Sequence, residues 1–335
     1  MTEAKQKGTI KLFSCGGAGI NIGKTFEDMR GKDNPMFAIL DIAYLDTSPA
    51  NLKDPALPRA AIYQIPGVDG SGQVRKENAE LIFAHAPAML EKFKPADFNI
   101  VVHSLSGGSG SVIGPALVSE MTGRGIPVVA IGIGETDTIK HMENTHMSLL
   151  SYINIALTHE TPVVSAYFHN SNLTPEADVN DGISRLITAL SVLFSRENIS
   201  MDSRDLFNWL NFNKVSDFGP QLALLSLFES TAIDAAIGNI ITVATLATEG
   251  GDASVGQMVE YQKVGRLPEV PPGVESPVHM TAPIHFVVSD GVFDELVGKL
   301  DAELTEYKRK AAARVPKTQQ DLLKNKTGGK NGVMV

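Results

Sequence analysis

The chain has a single cysteine, Cys15, among 335 residues. One thiol closes no internal disulfide and builds no cysteine-rich zinc site, so disulfide-stapled scaffolds are excluded. There is one tryptophan, and aromatic residues make up only 6%. Long apolar runs are missing too. The longest, residues 237–247, is interrupted by Gly238 and Asn239 and is too short to cross a bilayer. Residues 1–11 are polar and lack a signal-peptide pattern. A cytoplasmic protein that does not enter a membrane is therefore expected. With 43% hydrophobic and 20% charged residues the composition is that of a globular protein, which excludes collagen-like and wholly disordered chains. The length suits two domains, or one large α/β domain with an attachment.

Charge is unevenly spread. Residues 308–335 hold eight cations and one anion, Asp321. With +7 in that segment and −9 overall, the rest of the chain carries −16. An acidic body argues against direct nucleic-acid binding by the folded domains. The basic tail suits an acidic partner surface.

The first half alternates strand-like and helix-like segments. Strands are expected at 9–14, 36–45, 59–65, 98–103, 127–133 and 162–168. Helices are expected near 21–30, 77–92, 115–122 and 138–158. This alternation predicts right-handed crossovers and a parallel sheet. Residues 179–196 keep helical spacing through Ile183, Leu186, Ile187, Leu190 and Leu193. Beyond them, strand candidates at 240–246, 256–264 and 282–288 and a charged helix at 290–312 suggest a smaller α+β domain. The expected fold is thus α/β: a parallel-sheet nucleotide-binding domain (1–178), a long central helix (179–197), a smaller α+β domain (198–312) and a basic tail (313–335).

Two glycine clusters carry the strongest chemical signal. Cys15-Gly16-Gly17-Ala18-Gly19-Ile20-Asn21-Ile22-Gly23 follows a strand and opens a helix. Ser106-Gly107-Gly108-Ser109-Gly110-Ser111 has the same context. Glycines let a backbone approach a phosphate closely, and a helix N-terminus offers free N–H groups and partial positive charge. Two such loops on neighbouring parallel strands make one anion cradle.

Three nucleotide-binding designs compete. Residues 18–25, ending Gly23-Lys24-Thr25, nearly fit a P-loop, with Ala18 in place of the first glycine and Asp41 or Asp46 as a metal-holding acid. That scheme, a partition-type ATPase, leaves the second glycine loop unexplained. Glycines 17, 19 and 23 have the wrong last spacing for a dinucleotide fingerprint. The third design accounts for both loops.

Residues 106–111 resemble the glycine-rich signature of the tubulin/FtsZ superfamily, with Ser109 where threonine is usual and Val112 where a final glycine is usual. Residues 16–23 resemble that family's first phosphate loop. Leu45-Asp46-Thr47-Ser48 resembles the turn after its second strand, and Gly67-Val68-Asp69-Gly70-Ser71-Gly72 its γ-phosphate-sensing loop. The matches run in order over about residues 9–205.

The resemblance implies GTP/GDP as ligand, with Mg²⁺. It implies phosphate contacts from Gly16, Gly17, Ala18, Gly19, Asn21, Thr47, Ser48, Gly70, Ser71, Gly72 and residues Ser106, Gly107, Gly108, Ser109, Gly110 and Ser111. Asp181 or Asn180 would read the guanine edge, with Asn170 or Asn172 as the second base contact. Glu143 or Glu135 would meet the ribose. Each asparagine also suits a turn or a helix cap.

After the central helix, Asn198-Ile199-Ser200-Met201-Asp202-Ser203-Arg204-Asp205 resembles the family's catalytic loop. In that family this loop enters the nucleotide pocket of the next subunit. Asp202 and Asp205, assisted by Asn198, would then align the attacking water. The pair also suits a helix cap. The resemblance implies a head-to-tail homopolymer whose GTP hydrolysis depends on assembly. Compact size and a long closing helix look most like phage-encoded tubulins of the PhuZ type, which position phage DNA or a phage nucleus. Partition filaments of the TubZ type use basic tails to engage a DNA-bound adaptor and are the alternative.

Overall fold

In the computed structural model, residues 6–198, 200–229, 233, 238–267 and 282–313 are described. The basic tail lies outside these residues from 314 onward. Ten strands form one sheet: β1 Thr9–Cys15, β2 Ile39–Asp46, β3 Ile62–Gln64, β4 Phe98–Ser104, β5 Val128–Glu135, β6 Val163–Asn170, β7 Leu222–Glu229, β8 Asn239–Thr248, β9 Tyr261–Leu267 and β10 Ile284–Asp290. Their order is β3-β2-β1-β4-β5-β6-β7-β10-β8-β9. The block β3 to β7 is parallel, and β10 runs antiparallel to both β7 and β8.

Strands β1, β4 and β5 are buried almost throughout because helices cover both faces. One face packs α1 Gly16–Lys24, α6 Glu176–Leu193 and α7 Ser203–Leu210. The other packs α3 Ala79–Lys92, α4 Gly110–Gly123, α5 Ile139–Thr158 and α8 Val292–Ala313. A short α2, Pro49–Leu52, follows β2. Among the described residues no helix is long and apolar enough to cross a membrane.

Sequence pattern and structure differ in several places: the strand expected at 256–264 runs Tyr261–Leu267 and the one expected at 36–45 runs Ile39–Asp46. Helix α1 begins at Gly16, inside the glycine cluster, and α4 begins at Gly110. These glycines serve packing as well as the turn: a Cβ on Gly19 would lie 2.3 Å from the Val102 carbonyl oxygen, so only glycine lets α1 sit this close to β4. Strand β7 carries no strand signal. Its Leu-Ala-Leu-Leu run reads equally well as helix, and pairing with β6 and β10 decides it. The third strand shrinks to 62–64, because 59–61 form a single 3₁₀ turn.

A buried polar cluster lies under α4. His103 on β4 is fully buried and hydrogen-bonds the Tyr152 hydroxyl on α5. Burial depresses the imidazole pKa to about 4. The folded chain thus keeps His103 neutral down to about pH 4, whereas the unfolded chain protonates it near 6.5. Between those values the unfolded state binds more protons, so stability falls as pH falls. This residue alone should make the protein about 2 kcal/mol less stable at pH 5 than at pH 7. Urea titrations at both pH values check this, and His103→Asn should flatten the difference.

Candidate functional site

The strand order reverses direction between β1 and β4, the switch point where open α/β sheets bind ligands at the carboxyl ends of their strands. Register keeps those ends level: Cys15 pairs with both Leu45 and His103, and Glu135 pairs with Asn170. Helices α1 and α4 therefore start side by side. A Cβ on Gly16 would come within 2.9 Å of Gly110 Cα and N, and Gly16 has φ +70°, a left-handed conformation that favours glycine. Neither α1 nor α4 has a side-chain cap on its first-turn N–H groups. Two uncapped helix N-termini aimed at one place form an anion site.

Hydroxyls line its rim. Thr47 Oγ1 lies 2.5 Å and Ser71 Oγ 3.2 Å from Ser109 Oγ. Asp46, fully buried, shapes the turn after β2 by accepting from the backbone N–H groups of Thr47 and Ser48 and from Asn51 Nδ2. Gly70 is held through its carbonyl by Asn78, and Gly72 also has a left-handed φ. Gly108 abuts Ser71, where a Cβ would lie 2.0 Å from the hydroxyl. Ser111 Oγ donates to the Gly108 carbonyl and so stiffens the loop. Gly17, Ala18 and Asn21 occupy the first turns of α1, with Asn21 exposed.

At the end of β5, Glu135 accepts from Ser106 Oγ at 3.3 Å and from Asn170 Nδ2 at 2.9 Å. Asn170 Oδ1 is buried and has no hydrogen-bond partner among the described residues. It is an acceptor waiting for a donor. Glu143 instead lies on α5 with Lys140 3.6 Å away. Asn172 is exposed in the turn after β6. Asn180 and Asp181 sit in the second turn of α6, Asp181 exposed. Sequence reasoning missed Asn144. Buried on α5, it donates from Nδ2 to the carbonyls of Gln73, Ser106 and Gly107 and so joins the loop that follows β3 to the second glycine loop. A buried asparagine in an otherwise amphipathic helix was the available signal. Arg75 was missed as well. It reaches Ser148 and Ser151 at 2.6 and 2.7 Å, and burial lowers its pKa to about 10.

The P-loop expectation fails here. Residues 18–23 are helix, and Lys24 lies in the last turn of α1, paired with Asp54 at 3.1 Å. Lys24→Ala should change nucleotide affinity by less than a factor of about 5. Titration with a fluorescent nucleotide checks this, and loss of binding would restore the P-loop reading.

The remaining nominated residues lie elsewhere. Helix α6 has 18 residues and runs from the side of the glycine loops back to the amino ends of the strands, a span of about 27 Å. Its far end is fixed by Ala38 N–H to Ser191 and Gly8 N–H to Ser195, and Arg196 pairs with Asp97 at 3.0 Å. Asp202 follows and caps α7 by accepting from Arg204 and Asp205 N–H at 2.8 and 2.9 Å. Asp205 returns a bond to Asp202 N–H, completing a capping box. Burial opposes the Asp205 charge, but Lys263 at 2.9 Å and the Asp202 N–H outweigh it and hold the carboxyl below its usual range. Asn198 is buried and accepts from Met201 N–H at 2.7 Å. The structure brings Asn198, Asp202 and Asp205 together, but at the end of the sheet opposite the glycine loops.

No protein-family model matches the chain. The phage tubulin-like protein of Pseudomonas phage phiKZ is 30% identical over 331 residues, covering 93% of this chain and 94% of that protein. The solved protofilament of TubZ from bacteriophage PhiKZ superposes with a TM-score of 0.82 at 30% identity, covering 97% of this chain and 99% of that one. The GDP complex of the phage tubulin PhuZ gives a TM-score of 0.80 at 23% identity, with the same coverage.

Proposed function

This chain belongs to the phage tubulin-like proteins, and on that premise we propose that it binds GTP, polymerises head to tail and hydrolyses GTP at the contact between subunits. One observation carries the reading. The glycine cradle and the Asn198–Asp202–Asp205 loop occupy opposite ends of a helix about 27 Å long, so no single chain can join them. Stacking a second copy end-on puts its catalytic loop over the first copy's phosphates. Such a contact repeats without closing and yields filaments. The protofilament solved for a relative supports this mode of assembly.

The residues fit a guanine nucleotide. Guanine presents N1–H and N2–H₂ donors, and Asn170 Oδ1 and Asp181 offer acceptors. Phosphates would take the first-turn N–H groups of α1 and α4. The hydroxyls of Thr47, Ser71 and Ser109 are an oxygen-only donor set that suits Mg²⁺ carried on the phosphates, where it would neutralise developing charge. Glu135, at the end of β5 beside Ser106, would meet the ribose. Asp202 and Asp205 of the incoming subunit would orient water in line with the γ-phosphate and accept its proton.

Within an infected bacterium, cytoplasmic filaments of this kind would position phage DNA. The Pseudomonas phage source of the relative supports that role. The tail over residues 313–335, with five cations against Asp321 and so +4, favours an acidic partner surface or a DNA-bound adaptor of the partition type. Negative-stain microscopy with GTP, GDP and no nucleotide tests the proposal. Filaments should form with GTP, and their absence under all three conditions would overturn it.

A further inference from the structure

We propose that Glu135, Asp137 and His141 form a binding site for a divalent transition metal of the zinc class at the rim of the nucleotide cradle. Glu135 ends β5, and His141 lies in the first turn of α5. One ligand atom from each residue lies within 4.8 Å of the other two. His141 Nδ1 is 2.5 Å from Asp137 Oδ1 and 3.2 Å from Glu135 Oε2. A ring nitrogen carries at most one proton, so two carboxylates converge on a centre with one proton to share. A divalent cation supplies the missing charge.

Distances favour it. Bonds of ~2.1 Å in tetrahedral geometry put ligand atoms ~3.4 Å apart. The Glu135–His141 separation already matches. Asp137 must open by about 1 Å once the bridging proton leaves, and its side chain is 63% exposed and free to do so. The Asp137–His141 contact alone would be an ordinary pair one helical turn apart. Glu135 arrives from a strand, and that contact does not explain it. Glu135 is also oriented from behind, by Asn170 Nδ2 on Oε1 and Ser106 Oγ on Oε2. Outer partners of this type aim metal ligands. One imidazole with two carboxylates suits Zn²⁺, Co²⁺ or Mn²⁺ better than Ca²⁺ or Mg²⁺. Metal binding by imidazole and carboxylate requires deprotonated ligands, so it releases protons. Because Glu135 Oε2 is shared with Ser106, metal occupancy is coupled to the second glycine loop.

The test uses the full chain, stripped of metal and free of nucleotide, so its outcome does not depend on the GTPase reading. Zn²⁺ calorimetry should show one site with buffer-dependent proton release, and Co²⁺ should give ligand-field absorption. His141→Ala and Asp137→Asn should each weaken binding at least about 100-fold, and Asn170→Ala about 10–100-fold. Glu143→Gln, one helical position from the buried Asn144 and facing Lys140, should keep full affinity. Circular dichroism checks folding, and the exposed Asp137 carries the test if His141→Ala unfolds. Absence of a saturable site, or wild-type affinity in Asp137→Asn, would overturn the proposal.

Discussion

Asp202→Asn should cut GTP turnover about 10²–10⁴-fold, the usual contribution of a positioned acid–base group, while filaments form and outlast those of the wild type. The choice of asparagine separates two roles of one side chain. Asp202 caps α7 through its Oδ1, and asparagine caps as well as aspartate, so stability should move by less than about 0.5 kcal/mol. The carboxylate is lost and the cap is kept. Asp202→Ala removes both and should cost about 1 kcal/mol in addition. Phosphate release by assembled protein, alongside thermal unfolding, gives both readings. Normal turnover in the asparagine variant would leave Asp202 as a cap only.

Gly16→Ala should weaken GTP binding at least about 100-fold, equivalent to ~3 kcal/mol. The new Cβ meets the Gly110 backbone at 2.9 Å, and an alanine at φ +70° adds about 1–2 kcal/mol of strain. Relief requires α1 and α4 to part. Their N-termini then no longer aim at one point, at about 0.3–2 kcal/mol each, and N–H bonds to phosphate worth about 1.5–3 kcal/mol are lost. Binding of a fluorescent GTP analogue to the folded variant measures this. Wild-type affinity would mean that the two loops do not act as one cradle.

Much of this site was legible in the sequence because its signals are local. A strand ending in glycines and opening a helix appears twice, at Cys15–Gly16 and at Ser104–Gly110, and the parallel alternation puts both at one edge. The start of each helix was not legible. Glycine is a weak helix former, yet Gly19 lies within α1, where any Cβ would clash with the Val102 carbonyl of β4. Choices between neighbours were beyond reach for a similar reason. Glu135 and Glu143 are both plausible acids, but register pairs Glu135 with Asn170, while the turn of α5 directs Glu143 to Lys140. Likewise Asn170 ends a paired strand and Asn172 falls in the exposed turn. Strand β7 required its partners, since eight mostly apolar residues do not declare a period.

Assembly-dependent hydrolysis is tested most directly by where GTP turnover is completed. GTP turnover per subunit should be measured across a dilution series, with light scattering reporting assembly in the same samples. Turnover per subunit should be near zero below the assembly threshold and climb above it. A constant rate per subunit, down to concentrations at which only monomer is present, would contradict it.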